Sequence, residues 1–175
     1  MRIIFYYLIL CLFPLNSIAS LLIKTVNPTL NKTILAAIAH LPHTGMIKRS
    51  ADHYYYAAVD NRFITRSNAI LQTYLANQHT SCFHSPHDLS GQAHISLSYK
   101  GIPNFASHLN QIIHFTVQHI FIVITRFQSH HHTEKHIWYA IQVQSPDLNK
   151  ILATTKSHVQ YTHISFAVAK YKDGF

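Results

Sequence analysis

Two short segments place the same chemistry at the same spacing: His94-Ile95-Ser96-Leu97-Ser98 and His163-Ile164-Ser165-Phe166-Ala167. Each reads His, apolar, Ser, apolar, small. Side chains on a strand alternate faces, so His and Ser leave on one side while Ile and the next apolar residue enter a core. Tyr161 shares the face of His163 and Ser165 by the same alternation. Two imidazoles on opposing strands can flank one phosphorus, one taking a proton from the attacking hydroxyl or water and the other giving a proton to the leaving oxygen. Each Ser hydroxyl can donate to a non-bridging oxygen. This chemistry needs no metal and no cofactor. With 16 His in the chain, a single His-x-Ser triplet would be surface decoration. A matched pair, each copy following a helical pattern, points to function.

The elements that must carry these motifs follow from periodicity. Residues 53–59 are aromatic and β-rich, a strand. Residues 65–77 hold Ile70, Leu71, Tyr74 and Leu75 at helical spacing, with Ser67 as a cap. Residues 81–91 carry turn chemistry, and 92–99 form the first motif strand. Residues 103–118 read as a helix, with Pro103 in its first turn and Phe105, Leu109, Ile112 and Ile113 on one face. Residues 119–127 and 135–144 form a strand hairpin across a polar turn at 128–133. A helix starts at Ser145-Pro146-Asp147 and buries Leu148, Ile151 and Leu152. Residues 160–169 form the last strand. Strands and helices mixed in this way, with a hairpin, predict an α+β fold with largely antiparallel pairing.

The ends of the chain suggest export. Arg2 gives a positive start, residues 3–15 form an apolar run, and Ser17-Ile18-Ala19 supplies small residues for cleavage after Ala19. The run is shorter than the roughly 20 apolar residues a span requires. Residues 1–19 are therefore expected to be a signal peptide, with no integral membrane span once it is cleaved. Cleavage removes Cys11 and leaves Cys82, so no internal disulfide can form. Residues 20–50 have no clear period, with a short apolar patch at 34–41, and read as an N-terminal arm or short helix, followed by one domain over 51–175. The net charge of +8 favours an anionic partner.

The paired motifs and the elements between them resemble the two-histidine (2H) phosphoesterase superfamily, most closely the branch containing the spliceosomal small-nuclear-RNA 3′-end phosphodiesterase. The resemblance covers residues 53–169. It implies two antiparallel lobes with flanking helices around a cleft, each giving one His and one Ser/Thr. It implies metal-independent cleavage of RNA 3′ ends, oligonucleotides or 2′,3′-cyclic phosphates. His94 and His163 would be the acid/base pair, Ser96 and Ser165 the phosphate-binding hydroxyls, and Tyr161 a base-stacking aromatic. The run Tyr54-Tyr55-Tyr56 reads as strand packing, but the resemblance sets this first strand at the cleft, where one inward-facing Tyr, taken as Tyr55, would contact a base. Family members usually continue past the second motif, whereas this chain ends at Phe175. The second lobe is then minimal, or the chain is a shortened, weakly active or inactive relative. An RNA or nucleotide substrate and a monomer are expected.

Two other readings come from the residues. One is an exported, non-catalytic RNA- or protein-binding module on a degenerate scaffold of this kind. The other is metal binding by His130, His131 and His132, which read instead as an exposed turn lacking the four ligands of a closed zinc site. A Ser-His-Asp hydrolase is unsupported without a Gly-x-Ser-x-Gly elbow. The four glycines cannot build a phosphate loop.

Overall fold

A computed structural model describes residues 18–76, 83–84, 92–98, 104–128, 133–155 and 162–173. Within them, three helices and nine strands alternate along the chain. The strands are β1 (Ile18–Thr25), β2 (Thr44–Arg49), β3 (Tyr55–Ala58), β4 (Phe83–His84), β5 (His94–Ser96), β6 (Ile112–His114), β7 (Thr116–Gln128), β8 (Thr133–Gln144) and β9 (His163–Asp173). The helices are α1 (Pro28–Ile38), α2 (Arg62–Ala76) and α3 (Pro146–Thr154). The fold is mixed α+β.

Local chemistry explains the helix starts. Asn27 accepts from the Thr29 N–H at 2.8 Å and Pro28 opens α1. Ser145 accepts from the Leu148 N–H at 3.1 Å and Pro146 opens α3. Both are N-caps with proline in the first turn, where its missing N–H costs no intrahelical bond. Asp60 accepts from the Arg62 N–H at 2.9 Å at the start of α2. That helix begins three residues earlier than its apolar period suggested. Ser67 is not its cap but lies fully buried within it.

All pairings are antiparallel, and the main path of the sheet runs β1-β7-β8-β9-β5-β3-β2-β6, with β4 also paired to β9. The path divides at β5/β9 into halves of four strands. Each half contains strand pair, helix, strand: β2-β3-α2-β5 in one and β7-β8-α3-β9 in the other. The outermost strands are exchanged along the chain. The early strand β1 completes the second half, and β6 completes the first.

Three expectations change. Residues 20–50 do not form an arm. They supply most of β1, then α1 and β2, and Leu30, Ile34, Ile38 and Leu41 join the main core. Their period is obscured because two strands of different burial surround one short helix. The second half is not short of strands among the described residues, because β1 fills its outer position. The helix expected over 103–118 is instead a 3₁₀ turn at Ala106–His108 followed by β6 and the start of β7. Asn110 adopts a positive φ of 65° after that turn. Beyond it Ile113 and Phe115 are buried while Ile112 and His114 are exposed, a period of two that the 105/109/112/113 spacing masked.

The main core lies on one face of the sheet. Helix residues Ile34, Phe63, Leu71 and Ile151 cluster with the strand residues Ile47, Ala57, Ile95, Ile141 and Ile164. The opposite strand parity carries a small separate cluster of Phe121, Val123 and Ala140, with Ile23 and Trp138 packed on it. Asp147 of α3 accepts from the His114 backbone N–H at 2.8 Å and from its ring at 3.2 Å, tying β6 to α3. Those bonds hold the Asp147 carboxyl below its usual range, the backbone bond contributing most. No helix among the described residues is long and apolar enough to cross a membrane.

Candidate active site

The two matched motifs meet where the halves of the sheet join. Ile95 of β5 pairs with Ile164 of β9. In an antiparallel ladder the flanking positions pair in reverse, so His94 stands opposite Ser165 and Ser96 opposite His163. Ile95 and Ile164 are fully buried against the helices, while all four polar residues are half-buried on the other face. Directly opposed side chains begin about 4.5–5.5 Å apart at Cβ, and diagonal ones about 7–8 Å apart. The two Ser thus each face a His, and the two His sit on a diagonal across one small patch.

The register extends this patch into rows. Ser96 opposes Tyr56 on β3, which opposes Lys48 on β2. On the other side, His163 opposes Gln142 on β8, which opposes His119 on β7. In the neighbouring row, His94 opposes Ala58 and Ser165 opposes Ala140, which opposes Phe121. Neither row contains a carboxylate, so an approaching phosphate meets imidazole, hydroxyl, amide and ammonium groups. A β-bulge between Tyr139 and Ala140 lies beside Ser165. Such irregularities re-aim side chains at functional edges of a sheet.

His94 is oriented from its own chain. Its Nδ1 lies 2.9 Å from the Gln92 carbonyl oxygen. A carbonyl only accepts, so Nδ1 carries the hydrogen and the neutral ring has its lone pair on Nε2. Gln92 is itself held: its amide donates to the Val59 carbonyl at 2.8 Å and to Asn61 Oδ1 at 3.0 Å. Asn61 Oδ1 also accepts from the Ala93 N–H at 2.8 Å. The start of α2 therefore fixes the approach to β5.

Aromatic edges frame both imidazoles. Tyr54 and Tyr56 stack at 6.1 Å with planes 18° apart, and both meet His94 edge-on, at 6.1 and 5.7 Å. Phe121 meets His163 edge-on at 5.9 Å, and His119 packs on Phe121 at 6.3 Å. These contacts restrict ring rotation.

His94, Ser96, His163 and Ser165 are brought together. Tyr55 is not at this face. It is 2% exposed, packs on Phe105 at 5.7 Å and donates its hydroxyl to Asn104 Oδ1 at 2.9 Å. Strand alternation gives the reason: Tyr55 shares the parity of Ala57 on the core side, and its neighbours Tyr54 and Tyr56 take the His face. Tyr161 and His130–His132 lie outside the described residues. Sequence reasoning placed the substrate contact at Tyr55 rather than at Tyr54 or Tyr56 of the same run, and it missed Gln92, His119 and Phe121. The tyrosines were legible from alternation, since buried Val59 sets the inward parity of that strand. The others depend on register between distant strands.

Among the described residues no group of three or more His, Cys, Asp or Glu is placed to hold a metal ion. Comparisons with protein-family models, curated proteins and solved structures return no match.

Proposed function

We propose that this protein is an exported phosphodiesterase of the two-histidine type, acting without a metal on RNA 3′ ends, oligonucleotides or 2′,3′-cyclic phosphates. The observation that carries the reading is the Ile95–Ile164 pair, which sets two His-x-Ser motifs antiparallel on one face. The division of the sheet into two four-strand halves, each ending inward on a motif strand, supports the two-lobed arrangement that the motifs imply.

The chemistry follows from that patch. A phosphate seated over the diagonal would meet one imidazole on the side of the attacking oxygen and the other on the side of the leaving oxygen. The neutral imidazole takes the proton of a water or hydroxyl as its oxygen bonds to phosphorus. The protonated imidazole delivers its proton to the departing oxygen as the old P–O bond breaks. Ser96 and Ser165 donate to the non-bridging oxygens, whose charge grows in the transition state. Tyr56 replaces Tyr55 as the aromatic offered to a base, since it shares the face of Ser96.

For export, the proposed cleavage after Ala19 coincides with the register irregularity between Ile18 and Ser20 in β1. Residues 20–25 then keep their pairing to β7. N-terminal sequencing of exported protein would give Ser20 first.

The function is tested by cleavage of oligo(U) and of a 2′,3′-cyclic nucleotide in EDTA. The wild type should turn over both, and His94→Ala and His163→Ala should each lose at least about 100-fold while remaining folded. Normal turnover by both variants would overturn the assignment. Folded protein that binds RNA but never cleaves it would favour the non-catalytic binding module.

A further inference from the structure

A cavity lies beside His163 and plays no part in the proton transfers above. It has a volume of about 270 Å³ and is lined by Gln118, His119, Gln142, Gln144, Asn149 and Thr162 among others. Gln142 links it to the site, because it stands opposite His163 across β8 and β9. His119 opposes Gln142 on the next strand, and Gln144 shares the parity of Gln142, so these side chains leave the sheet on the imidazole face. Gln118 is the extra residue at the β-bulge between Val117 and His119, and it too lines this space.

Carboxamides dominate the lining, three glutamines and an asparagine beside Val143, His119 and Thr162, with neither carboxylate, lysine nor arginine. Carboxamides present a donor and an acceptor side by side, the pattern that matches the hydrogen-bonding edge of a nucleobase. A lining without Lys or Arg gives a second phosphate no permanent counter-ion. The volume falls just below the roughly 300–1,000 Å³ of drug-sized ligand sites, which suits one nucleoside. Some groups are already committed. Thr162 donates its hydroxyl to the Val143 carbonyl at 2.8 Å, and Gln118 donates to Thr116 Oγ1 at 3.0 Å. Gln142 and Gln144, on the imidazole face, are the groups left for a ligand's base edge, while Asn149 borders the space from α3 on the helix side.

We infer that this carboxamide pocket is a nucleoside subsite, holding by its base edge the nucleoside attached to the scissile phosphate on the His163 side. The inference rests on the phosphodiesterase reading for the position of the phosphate, but nucleoside binding itself needs neither imidazole. The test is therefore a titration of the full chain with uridine, cytidine, adenosine and guanosine, followed by NMR of the side-chain amides. It is run on the wild type, on the His94→Ala/His163→Ala double variant, and on Gln142→Leu and Gln142→Glu. At least one nucleoside should bind saturably to the wild type and to the double variant. Both Gln142 variants should weaken that nucleoside at least about tenfold, and orthophosphate should not displace it. Gln142→Glu keeps the side-chain shape, so it reads the pocket even if Gln142→Leu disturbs the sheet.

Absence of saturable binding, or equal affinity in a folded Gln142 variant, overturns the subsite. If the protein cleaves cyclic nucleotides but binds nucleosides independently of Gln142, the subsite falls and the phosphodiesterase stands. Binding through Gln142 without any cleavage supports the subsite and removes the catalytic reading.

Discussion

Ile95 and Ile164 face each other across the seam between the two halves of the sheet, both fully buried. This apolar pair sets the spacing of the four polar side chains on the opposite face. Removing its side chains should therefore cost both stability and catalysis. Ile164→Ala should destabilise by about 2–5 kcal/mol, the usual range for deleting a buried aliphatic side chain. Ile164→Val should cost about 0.5–1.5 kcal/mol and retain activity. Urea unfolding measures the first effect and turnover the second. Equal stability of wild type and Ile164→Ala would mean that the seam is not packed as described.

The tyrosine run separates packing from binding at adjacent positions. Tyr55→Phe removes a buried hydroxyl bonded to Asn104 and should cost about 1 kcal/mol of stability, without altering substrate affinity. Tyr56→Ala should raise KM for an oligonucleotide by roughly 5- to 150-fold, since base–aromatic stacking is worth about 1–3 kcal/mol. Steady-state kinetics of the two variants, beside their unfolding midpoints, check the contrast. The reverse pattern would restore Tyr55 as the substrate contact.

Much of this arrangement was legible in the sequence, and the reasons are local. The Ser145-Pro146 start of α3 is cap chemistry contained in four residues. The strands β7 and β8 are long β-branched and aromatic runs, and the His-x-Ser copies show their facing by alternation alone. The 103–118 segment misled because apolar residues at 105, 109, 112 and 113 fit a helix until burial shows Ile113 and Phe115 inward with His114 between them. The direct pairing of β5 with β9 was beyond a single sequence. It joins residues far apart in the chain, and nothing near either strand encodes its partner. The same limit hid Gln142 and His119, whose place beside His163 follows only from register.

Asp60 makes the start of α2 sensitive to acid. The hydrogen bond from the Arg62 side chain is the largest of the influences that hold its carboxyl below the ordinary value of 3.8. A carboxyl lowered by folding stabilises the protein above its unfolded-state value, and that gain is lost as pH falls through the folded value. Asp60→Asn keeps the capping oxygen and removes the charge. It should cost about 1 kcal/mol or less at neutral pH, because the pair is partly solvated. Urea midpoints across pH should show the difference closing as the solution is acidified below 3.8. A difference that widened in acid would contradict the sign.

Ser67 is fully buried in α2, and its hydroxyl has no hydrogen-bond partner among the described residues. Such a group carries a desolvation cost of about 1–3 kcal/mol, and the helix prefers Ala to Ser at that position. Ser67→Ala should raise the unfolding temperature. A clear fall would show that the hydroxyl is bonded in solution.

On the proposed mechanism His94 and His163 act on one phosphate. The most direct measurement is the rate of cleavage of a 2′,3′-cyclic nucleotide by the wild type, each His→Ala variant and the double variant. Two groups working on the same proton transfers are strongly non-additive, so each single loss should approach that of the double variant. The wild-type rate should also be bell-shaped in pH, since it needs one imidazole neutral and the other protonated. Losses that simply multiply in the double variant, or a single variant with the wild-type rate, would contradict a shared site.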